Sequence, residues 1–364
     1  MYRKLRRLHY FYQLAAAVSV IVCFTTLWFL LRLVSASVDR NYQTRKDVPT
    51  EEFEQTEGEG DLIRCDRYRR ALDGVCVHFE EDINPRLVGI MIENHVDARP
   101  LSGISRAQVV YEAAVEGNIT RFLVIFPAHV DSTKVGPVRS ARPYYLDWIS
   151  EYGGAMFMHV GGSPAALARI SAEPDIFSIN EFNREWYFWR STDRIRPHNT
   201  YTSRNLWQEA WERYGDEQEP FESWSFEEDE VCEEDCVTEI TPTFYHRAYE
   251  PTWRFNSSTE KYDRYEYGEL VIDPETEEPI SVDTIIIQRV ETAVIDAVGR
   301  QRIETIGSGE TIVFRDGKMI IGEWRKEKPT SRTVWLDSDG DAIPLAPGKI
   351  WVTVLDVNAS LTIE

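Results

Sequence analysis

Of 364 residues, 43% are apolar and 12% aromatic, enough to fill the cores of about two domains and too much for a disordered chain. Forty lysines and arginines face 61 acids, a net charge of −21. A surface this acidic repels phosphate backbones, which excludes nucleic acid as a partner.

The charge is uneven. Residues 1–34 hold Arg3, Lys4, Arg6, Arg7 and Arg32 and no acid. Phe11 to Leu31 is a run of 21 residues in which Gln13 is the one strongly polar side chain, the length of a helix that spans bilayer hydrocarbon. The sequence therefore predicts a cytoplasmic basic tail at 1–10, a transmembrane signal anchor at 11–34, and an extracytoplasmic bulk: a single-pass protein of the cell membrane. Val34-Ser35-Ala36 offers the rival reading of a cleavage site. Against it, the apolar run is longer than a removed signal peptide needs, and Arg32 interrupts its end. Cys23 lies inside the run after Val22, which is not a lipobox. Residues 35–62, with Glu51, Glu52, Glu54, Glu57, Glu59 and Asp61, read as an acidic stalk.

Four cysteines remain, and four allow three pairings. The local pairs Cys65–Cys76 and Cys232–Cys236 are the simplest in an oxidising compartment. The carboxylates of Cys232-Glu-Glu-Asp-Cys236 discourage thiolate formation, and the spacings fit no common zinc module. No metal and no cofactor is expected. Residues 63–84 then form a hairpin or loop closed by the first pair.

From residue 85 to 215 the pattern is α/β. Leu87–Ile92, Gln108–Ala113, Thr120–Phe126 and Ala155–Val160 are apolar runs of strand length, suited to a sheet covered on both faces. Glu116-Gly117-Asn118 supplies turn residues that tolerate positive φ. Ser140–Tyr152, Ala165–Ile170 and Leu206–Tyr214 read as helices, with Pro143 in the first turn of its own. An acidic insertion follows at 216–240, then a β-rich C-terminal domain at 241–364 in which Asp316-Gly317 marks a hairpin. The fold class is mixed α/β, an α/β sandwich-type domain followed by a β-rich one.

Polar groups gather where these strands end and helices begin, the place where open α/β sheets bind ligands. Arg139 and Arg142, three apart, can share one helical face as an anion clamp. Asn94, Arg99, Glu112, Arg121 and Asn199 complete a candidate ligand set, with Glu116, His159 and His198 as candidate proton-transfer groups. Plainer readings stand beside these: Arg121 paired with Glu112 across neighbouring strands, His159 as a core histidine, and His198 as a helix cap. No phosphate-binding glycine loop, nucleophile elbow or His-Glu-x-x-His helix is present.

The segments Ile92-Glu93-Asn94, Ala98-Arg99-Pro100-Leu101-Ser102-Gly103-Ile104, Val110-Tyr111-Glu112 and Glu116-Gly117 leading to Thr120-Arg121-Phe122 resemble the YerB-like family of bacterial envelope proteins. So do Gly136 to Arg142, His159 to Pro164, Pro197-His198-Asn199-x-Tyr201-Thr202-Ser203, Gly299-Arg300 and Pro347 to Trp351. The resemblance implies an extracytoplasmic lipoprotein architecture with a two-part domain of unknown function. This chain departs from it in the apparent membrane anchor, in Asn118 where a second glycine is commoner, and in the cysteine pairs and acidic insertion. Three functions remain open: a module binding an anionic cell-wall-related ligand, a scaffold for an envelope protein partner, or a hydrolase or transferase on a phosphate- or carboxylate-bearing cell-wall precursor.

Overall fold

The computed structural model describes Cys65, residues 68–244 and residues 246–364. The basic tail at 1–10, the anchor at 11–34 and the stalk at 35–62 lie outside the described residues. Among the described residues no helix is long and apolar enough to cross a membrane.

One ten-stranded sheet organises the chain, and we number its strands in chain order. They are β1 (Leu87–Glu93), β2 (Val109–Ala114), β3 (Thr120–Pro127), β4 (Met156–His159), β5 (Ser178–Asn180), β6 (Thr284–Val290), β7 (Gly307–Arg315), β8 (Lys318–Lys326), β9 (Val334–Leu336) and β10 (Ile350–Asp356). Their spatial order is β9-β8-β7-β6-β10-β2-β3-β1-β4-β5. The boundary expected near residue 240 therefore does not divide the sheet. The C-terminal β10 lies parallel between β6 and β2, joining strands from both halves of the sequence.

Every residue of β1 and of β10 is buried, because the sheet is covered on both faces. Alternate side chains separate the two cores, as the strand period of two requires. Val88, Ile90 and Ile92 face one core, with Trp207 and Trp211 of helix α3 and with Trp253 and Tyr262 of a second sheet. Leu87 and Met91 face the other, with Tyr145 and Trp148 of helix α1. Among the described residues the α-helices are α1 (Pro143–Ile149), α2 (Pro164–Ala172) and α3 (Arg204–Tyr214). The second sheet runs Glu269–Leu270, Lys261–Glu266, Thr252–Asn256, Glu239–Pro242, Leu361–Ile363.

Helix α1 is shorter than the Ser140–Tyr152 expected from its apolar spacing. Val138 bridges Ile92 of β1 and Ala141 bridges Gly162, so residues 138–141 are spent on extended pairing. The helix then opens with Pro143 in its first turn. Arg139 and Arg142 consequently do not share a helical face. Arg139 belongs to the extended segment, its N–H donating to Met91 O at 2.8 Å, and Arg142 is the residue before the helix, at φ −130° and ψ 153°.

Asp316 and Gly317 make the expected hairpin between β7 and β8, with φ of 52° and 75°. Cys65 is bonded to Cys76, beside the two-stranded hairpin Tyr68–Arg69 with Cys76–Val77, and Cys232 to Cys236. Much of the segment expected as an acidic insertion is strapped to the fold. Gln218 accepts the Leu87 N–H at 2.6 Å, buried Trp224 donates to Thr333 O at 2.8 Å, and Phe226 bridges Leu345.

Candidate functional site

A cavity of about 490 Å³ opens beside the ends of β1 and β3 and the start of α2. Glu93, Asn94 and His95 reach it from the end of β1, because the continuous apolar run stops there and the chain turns out of the sheet. Glu116 comes from the β2–β3 turn, where Gly117 at φ 68° and Asn118 at φ 57° reverse the chain. Thr120 and Arg121 open β3, and Arg139, Ser140 and Arg142 line the extended segment before α1. Pro197 and His198 lie in the loop ahead of α3. Arg300 arrives from a hairpin formed by Thr292–Val294 and Gln301–Ile303.

Four guanidiniums thus face two carboxylates in a protein whose net charge is −21. Three of the four are paired tightly. Arg142 grips Glu116 through both ends of its fork, at 2.7 Å and 2.6 Å, Arg139 Nε donates to Glu93 Oε1 at 3.0 Å, and Arg300 Nη1 donates to Asp296 Oδ2 at 2.7 Å. Burial works to raise Glu116, but the hydrogen bonds and charge of Arg142 outweigh it and hold the carboxyl below its usual range. An acid held ionised in a two-point grip is a poor acceptor for a substrate proton.

Arg121 differs from its neighbours. It is 8% exposed, donates to Ser140 O at 2.7 Å, and has no carboxylate within 4.0 Å among the described residues. Burial, reinforced by the charge of Arg142, pushes its guanidinium down to about 10, still fully protonated at neutral pH.

Of the residues expected at one cleft, Asn94, Glu116, Arg121, Arg139, Arg142 and His198 line the cavity together. The other four do not. Glu112 is wholly buried and takes Arg264 of the second sheet at 2.9 Å and 3.2 Å, Trp351 Nε1 at 3.0 Å and Thr120 Oγ1 at 2.9 Å. Its expected cross-strand pairing with Arg121 does not form, because Glu112 stands opposite Phe122 and Arg121 opposite Ala113. Arg99 Nε donates to Asn94 Oδ1 at 3.0 Å, and Arg99 pairs with Glu266 at 2.8 Å, behind the cavity.

His159 is fully buried, with Nδ1 2.6 Å from Gly161 O and Nε2 2.8 Å from Ser178 Oγ. Burial holds its imidazole neutral, its pKa pushed down to about 4. It anchors the turn that brings Gly162, Ser163 and Pro164 to the cavity, without reaching the cavity itself. Asn199 is spent on the chain beside it, donating to Ser191 O at 3.0 Å and accepting from Arg190 at 3.1 Å.

Sequence reasoning left Glu93, His95, Thr120 and Arg300 out of the candidate set. Glu93 carried the one available signal, a carboxylate closing a strand that is otherwise apolar.

Comparison with known proteins gives a consistent family assignment. Residues 73–216 match the family model described as "Protein of unknown function (DUF3048) N-terminal domain", and residues 240–352 match its C-terminal domain. The chain is 31% identical over 281 residues to a Bacillus subtilis (strain 168) protein named "Putative lipoprotein YerB", covering 76% of this chain and 83% of that one. It is also similar to the crystal structure of the YerB protein from Bacillus subtilis, with a TM-score of 0.71 and 29% identity over 81% of this chain and 99% of that one.

Proposed function

Because this chain belongs to the DUF3048 family, we propose that it is a membrane-tethered envelope protein whose arginine-lined cavity binds an anionic, cell-wall-related ligand. The relative from Bacillus subtilis is named as a lipoprotein. Here the apolar run at 11–34 would supply the tether as a single transmembrane helix, leaving the folded part outside the cytoplasm.

The observation that carries the ligand reading is Arg121. A buried guanidinium without a carboxylate partner costs several kcal/mol of desolvation, and the cavity beside it has room for an anion to offset that cost. Arg139, Arg142 and Arg300 are each balanced by a carboxylate, so Arg121 is the unbalanced guanidinium of the cavity although the whole protein is acidic. A phosphate or carboxylate could bond Arg121 and Arg300 directly, the planar fork suiting both groups. The depressed carboxyl of Glu116 favours binding over a reaction in which Glu116 moves a proton.

The test is thermal melting of the detergent-solubilised full chain with inorganic phosphate, pyrophosphate and a short-chain polyprenyl phosphate. A ligand that binds the folded state alone stabilises it by about 2.7 kcal/mol at a hundredfold excess over Kd. Stabilisation by at least one anion that disappears in Arg121→Met supports the reading. No stabilisation by any of them, or stabilisation indifferent to Arg121→Met, overturns it.

A further inference from the structure

The rim of the same cavity carries an arrangement that anion binding leaves unused. His95 directly follows β1 and opens the short turn Val96–Ala98, its Nδ1 accepting the Asp97 N–H at 3.2 Å. His198 lays its ring on that of His95, with centroids 5.1 Å apart and planes 22° apart. Asp97 Oδ2 stands 3.6 Å from His95 Nδ1. One nitrogen of each imidazole and one Asp97 oxygen all lie within 4.8 Å of one another.

Behind them Glu93, whose side chain is 5% exposed, holds Oε2 3.0 Å from His198 Nδ1. These two atoms are buried, yet neither has an aligned hydrogen bond, so the pair is close but not satisfied. Two stacked imidazoles at a cavity mouth, backed by an under-bonded carboxylate, are an expensive way to build a loop.

We propose that His95, His198 and Asp97 form a binding site for a divalent transition-metal ion of the zinc class, with Glu93 as the residue that positions His198. Two imidazole nitrogens and one carboxylate oxygen suit zinc, nickel or copper, whereas magnesium and calcium prefer all-oxygen shells. A carboxylate that accepts a hydrogen bond from one ring N–H leaves the other nitrogen as the metal ligand and fixes the ring's direction. Glu93 Oε2, 3.0 Å from His198 Nδ1, stands where it would take that role once the ring is aligned by the ion.

Ligand atoms about 2.0–2.2 Å from a tetrahedral ion stand roughly 3.3–3.5 Å apart. The cluster must therefore contract from its spread of up to 4.8 Å. Asp97, whose side chain is 68% exposed, is free to swing in. Three protein ligands leave a fourth position, and His95 and His198 both line the cavity, so that position faces the space in which an anion would sit.

The experiment titrates the chelator-treated, dialysed full chain in detergent with Zn2+ by calorimetry and with Co2+ by visible absorption. The expected result is one saturable equivalent of Zn2+ and a tetrahedral cobalt spectrum, both lost in His198→Ala and in His95→Ala. Glu93→Gln should weaken Zn2+ by about 10–100-fold while keeping the cobalt spectrum. Melting curves of each variant without metal establish that it is folded. No saturable binding, or binding that survives both histidine variants, overturns the proposal. Phosphate-dependent melting run in excess chelator reads the arginine cavity by itself, so the two proposals fail separately.

Discussion

Glu112→Gln tests whether the Glu112–Arg264 pair holds the two sheets together or serves a ligand. Arg264 is 1% exposed and Glu112 fully buried, joined through both nitrogens of the guanidinium fork. The amide removes the nearer countercharge and leaves the guanidinium, enclosed by the rings of Phe122, Trp253 and Trp351, with Glu266 alone at 3.3 Å from its Nε. Breaking a buried pair from one side costs about 3–5 kcal/mol. For a chain of this size each kcal/mol moves the melting temperature by on the order of 2 °C, so a loss of about 6–10 °C is expected. Tryptophan fluorescence reports it directly, since Trp253 and Trp351 lie 5.3 Å and 4.6 Å from the guanidinium carbon. The double variant Glu112→Leu with Arg264→Met should lose less than Glu112→Gln alone, because neither charge is then left unpaired. Phosphate-dependent stabilisation should persist in the folded Glu112→Gln protein, as Glu112 lies outside the cavity. A loss below about 2 °C, or a double variant as damaged as the single one, refutes the structural reading of this pair. Loss of the phosphate effect in folded protein would return Glu112 to the ligand set.

Two further outcomes follow from the titrating groups. Glu116 has a folded-state pKa below its ordinary value of 4.5. Its stabilising contribution is therefore complete above about pH 4.5 and is lost as pH falls through the depressed value. Denaturation midpoints of wild type and Glu116→Gln should differ by a constant at neutral pH and converge on acidification. Glu116→Gln should also bind pyrophosphate more tightly, since Arg142 is freed; weaker binding refutes the charge argument. For His159 the unfolded chain takes up a proton near pH 6.5 and the folded one near 4. Stability therefore falls as pH drops through that window, by about 3 kcal/mol in all. Imidazole NMR signals of His159 that titrate near pH 6.5 would contradict this.

Much of the sheet was legible because its strands are unbroken apolar runs. Leu87–Ile92, Thr120–Phe126 and Ala155–Val160 each fall on an observed strand within one or two residues. The hairpin at Asp316-Gly317 was legible because few dipeptides adopt two successive positive φ angles. The start of α1 was not, since Ala141 and Tyr145 have helical spacing whether or not Ala141 is spent pairing with Gly162. Six of the ten named site residues meet at the cavity, and Asn94, Glu116 and Arg121 do so because they sit at or beside strand ends, which the sequence does reveal. Their partners were invisible for a physical reason. Arg264 lies 152 positions from Glu112, and Glu93 meets a His198 carried on a distant loop, so no local periodicity links either pair.

The position of β10 has a consequence for how the chain comes into being. Residues 350–356 fill a gap between β2 and β6, pairing in parallel with both, so the middle of the sheet is the last part to be synthesised. Until that segment emerges, two apolar strands each lack the neighbour they have in the folded sheet, a template for wrong association. Pairing this distant in sequence is also slow to form, since loop closure precedes any gain. A chain interrupted before residue 350 would leave neither family segment with a finished sheet. Folding of the sheet therefore waits on residues 350–356, and a fragment that lacks them is prone to aggregate.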